Sequence, residues 1–279
     1  MSNQIDDETF YKLIDTLIKD SNDTVRVPIM DSIVSLKSHP NLNKMQDYII
    51  TVINKLSTDE SWRVRLTVAD KLHEILCFPQ LSKSLKLRAV EIFAVLLTDK
   101  EAENRNICCL RLEAIAETIG KEDLMDLILT EIKKLEKDPV SYVRGALAST
   151  LLRISPLIGK NKTNDFVFPI FLNLIKDESH DIRMTLIKTL DRLHEVINID
   201  IFVQSIIPSL LEIATNKSWR IRIQIAESIP VLARILVRIK NNFLLTHFRI
   251  KIFLWKISSL SVSLGLLTVF LLSEKLVVN

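Results

Sequence analysis

Glycine is scarce in this chain, since its 279 residues include only four, at positions 120, 145, 159 and 265. Sheet turns and phosphate-binding loops depend on glycine. The four dispersed glycines therefore exclude a Gly-x-Gly-x-x-Gly loop or a phosphate-binding loop. Aromatic residues make up only 6% of the chain, whereas 48% is hydrophobic. This combination favours a helical protein with a sizeable core over a sheet protein.

Cysteine is also rare, and its three positions are Cys77, Cys108 and Cys109. The number is odd, two residues are adjacent and no Cys-x-x-Cys occurs. This excludes a disulfide framework and fits a reducing compartment. The first residues, "MSNQIDDETFYKLID", are acidic and contain no apolar signal core. We therefore expect a cytoplasmic protein, with the nucleus as a second location.

The chain has little excess of charge of either sign, with a formal net charge of +3. Even this excess is local, because residues 237–279 contain six basic residues against Glu274, a net of +5. The first 236 residues therefore carry a net of −2. A body of this charge lacks the basic footprint of nucleic-acid-binding proteins, and we expect no nucleic-acid partner.

One unusual cluster, Ser-Trp-Arg-aliphatic-Arg, occurs twice, at Ser61–Arg65 and at Ser218–Arg222. The last arginine of each cluster belongs to a series that returns every 39 or 40 residues. The series is Arg26, Arg65, Arg105, Arg144, Arg183 and Arg222. Six positions before these arginines stand Asp20, Asp59, Asp99, Asp138, Asp177 and Asn216. Such a fixed period indicates a repeat protein.

The residues after each arginine follow a helical phase. Positions three, four, seven and ten beyond it are apolar in all six copies, which places one apolar stripe along an α-helix. A second apolar segment precedes each aspartate. The sequence therefore predicts an all-α solenoid of about six 39-residue helical hairpins over residues 1–236, stacked to bury their apolar faces. We expect the aspartates and arginines of successive turns to hydrogen-bond along the stack as a structural ladder.

The period and the Asp-x5-Arg turn resemble HEAT repeats. The phrases "DESWRVRLTVADKLHEI" and "KSWRIRIQIAESIPVLA" resemble, in particular, the scaffold (A, 65-kDa) subunit of protein phosphatase 2A. The resemblance covers about residues 9–236, and the six repeats look like the sixth to eleventh of that family's fifteen. It implies a non-catalytic scaffold without a cofactor, which docks a phosphatase catalytic subunit and regulatory B-type subunits on its intra-repeat turns.

The resemblance also implies particular docking residues. Ser61, Trp62 and Arg63 match the turn that holds regulatory subunits in the family, and Trp219 and Arg220 match a turn that contacts the catalytic subunit. Tryptophan and arginine are frequent interface anchors. The alternative for both tryptophans is packing between neighbouring repeats. The alternative function is another HEAT-repeat adaptor, such as a protein like the nuclear transport receptors that binds cargo.

The period stops at Leu236, and residues 237–279 form a divergent, apolar and basic tail. A membrane anchor is one interpretation, but the uncharged run 257–272 is 16 residues long, shorter than the ~20 that span a bilayer. A pair of degenerate capping helices is another. We favour a third hypothesis, a retained intron or a wrong gene model, because the codons of Val237 and Arg238 can read GTAAGA, a splice-donor pattern.

The sequence contains no complete catalytic motif among those that its histidines suggest. The two His-Glu pairs, at His73 and His194, lack the second histidine of zinc proteases and stand at different phases of the repeat. We expect neither a metal site nor an enzyme.

Overall fold

The computed structural model describes residues 7–79, 81–119, 124–193, 202–215, 217–219, 221–223 and 225. Within these ranges every regular element is helical and no strand occurs, which confirms the predicted all-α fold. The α-helices are α1 (Asp7–Leu17), α2 (Asp23–Arg26), α3 (Ile29–Val34), α4 (Leu42–Ser57), α5 (Trp62–Leu76), α6 (Lys83–Leu96), α7 (Ala102–Ile119), α8 (Leu124–Leu135), α9 (Ser141–Ile158), α10 (Lys160–Lys162), α11 (Phe168–Leu174), α12 (His180–Leu193) and α13 (Ile207–Ala214). One 3₁₀ turn (Ser35–Ser38) and two π-helical turns (Thr163–Val167 and Phe202–Ile206) complete them.

The chain divides into two compact units, Met1–Val167 and Phe168–Asn279. In the first unit the helices pack as hairpins: α4 with α5, α6 with α7, and α8 with α9. Each helix also contacts its counterpart in the next hairpin, so that α4, α6 and α8 form one layer and α3, α5, α7 and α9 form another. This stacking gives the predicted solenoid, in which each hairpin is completed by its neighbours.

The apolar stripe of the second helices forms the core between the two layers. In α5 the stripe residues are at most 1% exposed. The same holds in α7, where Cys108 and Cys109 take stripe positions and are fully buried. Burial raises the pKa of both thiols, which keeps them protonated and unreactive. The two cysteines are therefore small core residues, as their position in the repeat predicts.

Prolines modify individual helices. Pro28 follows the first turn arginine and separates α2 from α3, because proline cannot donate the backbone hydrogen bond of a continuous helix. Pro169 and Pro208 stand at the second positions of α11 and α13 and lack the N–H that would bond to the preceding turn of a regular α-helix. Each follows a π-helical turn, and the two arrangements lie 39 residues apart, in register with the repeat.

The second unit shows the same hairpin pattern in its described part. α11 packs against α12, and α13 packs against the preceding π-helical turn. The tail 237–279 lies outside the described residues, so the predicted division at residue 236 and the interpretations of the tail stay predictions. In the part of the chain that is described, no helix is long and apolar enough to cross a membrane.

Candidate docking surface on the intra-repeat turns

The first three turn arginines of the first unit bind the aspartate of the next turn through two hydrogen bonds each. Nε and Nη2 donate to the two carboxylate oxygens, the bidentate geometry that arginine favours. The distances are 2.8 and 2.8 Å for Arg26–Asp59, 2.6 and 2.9 Å for Arg65–Asp99, and 2.6 and 3.0 Å for Arg105–Asp138. We call each such pair a rung. The rungs join consecutive hairpins at their turns.

The same side chains also fix the conformation of each turn. The remaining guanidinium nitrogen, Nη1, donates to the backbone carbonyl of the aspartate six residues earlier. These bonds are Arg26–Asp20 at 2.6 Å, Arg65–Asp59 at 2.8 Å, Arg105–Asp99 at 2.8 Å, Arg144–Asp138 at 2.7 Å and Arg183–Asp177 at 2.5 Å. Each aspartate also accepts the N–H two residues later, as Asp59 does from Ser61 at 2.8 Å. In the sixth copy Arg222 donates to the Lys217 carbonyl at 2.9 Å, and Asn216 lies outside the described residues.

The rungs are nearly dry and electrically neutral. The side chains of Arg65 and Asp99 are 7% and 6% exposed. Burial opposes ionisation of Asp99, but the hydrogen bonds from Arg65 and from the Glu101 N–H outweigh it and lower the pKa of this carboxyl. The bond to Asp99 raises the pKa of Arg65. Both groups are therefore charged at neutral pH and cancel each other, which leaves a structural pair with no free acid or base.

The third turn departs from the pattern in one buried side chain. The position before each turn arginine is aliphatic in the other five copies and is Asn104 here. Asn104 is fully buried in α7. Its side chain is placed towards Asp99 and helps to lower the pKa of that carboxyl.

Ser61, Trp62 and Arg63 come together at the second turn, at the start of α5. The Ser61 hydroxyl donates to Asp23 of the previous turn at 2.7 Å. Arg63 lies over the Trp62 ring, 5.5 Å from its centre, and its Nη1 is 3.6 Å from the Asp23 carboxylate. The Ser61 bond is the main cause that lowers the pKa of Asp23, to which Arg63 adds. The result is an outward-facing group of an aromatic ring, a cation and an anion.

The exposure of these side chains bears on the two alternatives for Trp62, docking a partner or packing between repeats. Trp62 is 36% exposed, and the Arg63 side chain is 61% exposed. An open cleft adjoins them, lined by Ser21, Asn22, Asp23, Arg26, Glu60 and Ser61. Trp62 is therefore open to solvent over part of its surface and is not fully enclosed between repeats.

Trp219 belongs to the second unit and is 61% exposed, the largest exposed fraction of the described tryptophans. Arg220, predicted to act beside it, lies outside the described residues. The described structure thus shows Trp219 as an exposed aromatic residue at the sixth turn.

Two further features escaped the sequence analysis. At the fourth turn the Tyr142 hydroxyl donates to Glu103 of the third turn at 3.3 Å, and Tyr142 is 48% exposed. Tyr142 and Glu103 share the repeat position of Arg63, two residues before the turn arginine, which was the available signal. The second helices also carry ion pairs between neighbours: Asp31–Lys71 at 3.7 Å, Asp70–Arg111 at 2.6 Å, and Glu113–Arg153.

Over the described ranges no group of three His, Cys, Asp or Glu residues is placed to hold a metal ion. His73 is partly buried in α5, whereas His194 and Glu195 lie outside the described residues.

Comparison with known proteins places the chain among helical repeat proteins. Residues 13–193 match the family described as "PIK3R4-like, middle domain". No protein with a curated description matches the sequence significantly. Among solved structures, Cex1p aligns at 17% identity and a TM-score of 0.63, over 85% of this chain and 44% of Cex1p. Kap121p aligns at 18% identity and a TM-score of 0.57, over 82% of this chain and 24% of Kap121p. The chain thus spans less than half of either protein, and these similarities show the fold alone.

Proposed function

The chain belongs to the family of PIK3R4-like middle domains, and on that premise we propose that it is a non-catalytic scaffold that docks proteins on its intra-repeat turns. The observation that carries this proposal is the second turn. There Trp62 and Arg63 stand exposed on a backbone that the Arg26–Asp59 rung holds in place. Exposed tryptophan and arginine on a rigid support make good interface anchors, since little conformational freedom is lost on binding.

A cargo-binding adaptor would instead dock its partner along the second helices of the hairpins, and this alternative has less support. Several charged side chains on that face are already paired between neighbouring repeats, as in Asp70–Arg111 and Glu113–Arg153. A charged cargo segment would have to break these pairs. The turns therefore favour the scaffold over the alternative of a cargo-binding adaptor.

In its finer form, the proposal is that the partners are the subunits of a phosphatase 2A-type holoenzyme. The support is the similarity of the two Ser-Trp-Arg phrases to that family's scaffold subunit. On this hypothesis Ser61, Trp62 and Arg63 contact a regulatory B-type subunit, and Trp219 and Arg220 contact the catalytic subunit. The scaffold would contribute geometry, by holding the two subunits at a set distance.

Capture of purified phosphatase subunits by the immobilised full chain tests this assignment. We expect the double variant Trp62→Ala, Arg63→Ala to weaken capture of the regulatory subunit by about thirtyfold or more, because a single anchor of this kind is already worth about 2 kcal/mol. Capture of the catalytic subunit alone should be unchanged in that variant. The double variant Trp219→Ala, Arg220→Ala should show the reverse pattern.

A matched control lies on α6, where Leu87 and Arg88 are neighbours and both exposed; Leu87 has the same 36% exposure as Trp62. The variant Leu87→Ala, Arg88→Ala should capture both subunits normally. If the parent chain captures neither subunit, the phosphatase assignment is wrong. If the control variant loses as much as the turn variants, the turns are not the docking surface.

A further inference from the structure

The second and fourth turns both present an aromatic ring beside a carboxylate, but only the second turn also has a cation there. At the second turn an aromatic ring, a guanidinium and a carboxylate already lie together within the chain, in the order Trp62, Arg63 and Asp23. At the fourth turn an aromatic ring and a carboxylate lie together, Tyr142 and Glu103, joined by a hydrogen bond of 3.3 Å. The fourth turn thus contains two of the three kinds of group, although Tyr142 and Glu103 both stand at the repeat position of Arg63 and not at those of Trp62 and Asp23.

The missing component is the cation. In the described part of the chain no arginine or lysine lies over the Tyr142 ring, and no cation pairs with the Glu103 carboxylate. A cation at the same corner, Arg105, is held by the Asp138 carboxylate and by the carbonyls of Asp99 and Lys100. Its nitrogens are therefore committed to the rung, and its charge acts on Tyr142 only through space, where it lowers the pKa of the phenol.

The accessibility of the fourth-turn pair suits an external ligand. Tyr142 is 48% exposed and Glu103 is exposed, so both side chains are accessible to solvent. The hydroxyl of Tyr142 donates to Oε1 of Glu103, which sets the carboxylate beside the ring. The Tyr142 hydroxyl is a neutral donor at physiological pH, as tyrosine ordinarily is. Partial burial and the neighbouring Glu103 carboxylate raise its pKa further, and Arg105 opposes this rise.

We propose that Tyr142 and Glu103 form a binding site for an arginine side chain of a docked partner protein, which would stack on the ring and pair with the carboxylate as Arg63 does at the second turn. The chemistry of the occupant follows from that internal counterpart, since a planar guanidinium both stacks on an aromatic face and bonds a carboxylate. The inference rests on the proposed function of the turns as a docking surface. It adds the kind of residue that the partner must present there.

Fluorescence anisotropy with a synthetic peptide tests the site on the full chain. The probe is a labelled peptide with three arginines separated by Gly-Ser spacers, and its twin carries neutral citrulline in place of arginine. We expect the arginine peptide to bind at least fivefold more tightly than the citrulline peptide. Tyr142→Ala and Glu103→Gln should each weaken the arginine peptide by about three- to tenfold, the usual size of cation–π and charge-assisted contacts. Tyr142→Phe should keep most of the affinity, because it keeps the ring.

The matched control is Glu117→Gln, which removes the same charge from an exposed position on the same helix, about 21 Å further along α7 at 1.5 Å per residue. It should bind like the parent. Circular dichroism establishes that each variant keeps the parent's helix content and melting temperature. Absence of peptide binding, or equal losses in Glu117→Gln and Glu103→Gln, would overturn the inference.

This outcome is separable from that of the proposed function. Capture of phosphatase subunits without peptide binding would contradict only the proposal of the arginine site. Peptide binding with the expected effects of the variants, but without subunit capture, would support the arginine site and remove only the phosphatase assignment.

Discussion

A single turn aspartate performs three structural tasks. Asp59 binds the guanidinium of Arg26 from the preceding repeat through its carboxylate, accepts the Ser61 N–H within its own turn, and offers its carbonyl to Arg65. Each interaction satisfies a polar group that would otherwise be buried without a partner. These three contacts explain why aspartate recurs at this position of the repeat.

The rung of Asp99 provides a residue-scale prediction. We expect Asp99→Asn to lower the free energy of unfolding at pH 7 by about 3 kcal/mol, because it leaves the buried Arg65 without its counter-charge. Urea unfolding measures this difference. The control Glu60→Gln concerns a carboxylate whose side chain is 89% exposed, and it should change stability by less than about 0.5 kcal/mol.

The same variant has a characteristic dependence on pH. The folded-state pKa of Asp99 lies below the ordinary value of 3.8, so its contribution is fully present above that value and is lost as the pH falls through the lower folded-state pKa. The difference between parent and Asp99→Asn should therefore be constant from neutral pH down to about pH 5 and shrink below about pH 4. A difference that stays constant to pH 2 would show that the charge of Asp99 is not its source.

At the scale of the element, the end of α9 depends on one backbone conformation. Gly159 follows the helix with φ 86° and ψ 167°, a region that is open to glycine and costly for any residue with a Cβ. This conformation lets the chain leave α9, which contains Pro156 in its last turn, and enter α10 at once. The exit of the fourth hairpin is therefore set by a glycine and not by packing alone.

We expect Gly159→Ala to lower the free energy of unfolding by about 2 kcal/mol, the usual cost of such a conformation. Gly145→Ala serves as the control, since Gly145 lies inside α9 and is only partly buried. Alanine there should raise stability by up to about 1 kcal/mol. Thermal unfolding of both variants measures the difference, and equal effects at the two glycines would refute the explanation.

At the scale of the whole molecule, the rungs couple the stability of each repeat to that of its neighbours. The Arg26–Asp59 and Arg65–Asp99 rungs meet in the second turn, because Arg65 binds both the Asp99 carboxylate and the Asp59 carbonyl. The Arg105–Asp138 rung shares no residue with the first rung. In a repeat protein of this kind, coupling should extend to adjacent repeats and not beyond.

A double-mutant cycle tests this coupling. The effects of Asp59→Asn and Asp138→Asn on unfolding should add within about 0.5 kcal/mol, whereas Asp59→Asn and Asp99→Asn should deviate from additivity by more than that. Urea titrations with constant m-values measure both cycles. A deviation from additivity in the distant pair as large as in the adjacent pair would show that the unit does not behave as a chain of neighbours.

Much of the fold and part of the candidate site could be predicted from the sequence. The apolar stripe and the Asp-x5-Arg turn are local patterns, and they recur with the 39-residue period. Together they identified the helices, the core residues and the residues of the rungs. Trp62 and Arg63 could be named as anchors because tryptophan and arginine at a turn are unusual. Their exposure could not be predicted, because it depends on how closely the previous turn approaches.

The sequence by itself determined the helical hairpins and their stacking, since an apolar stripe of 3.6-residue period can be buried only against neighbouring repeats. Only the tertiary structure decided which side chains of different repeats meet: Ser61 with Asp23, Tyr142 with Glu103, and Arg111 with Asp70. These partners are 38 to 41 residues apart, and whether they touch depends on the offset between adjacent hairpins. That offset is set by the packing of whole helices and by the rungs, and no local pattern of residues encodes it.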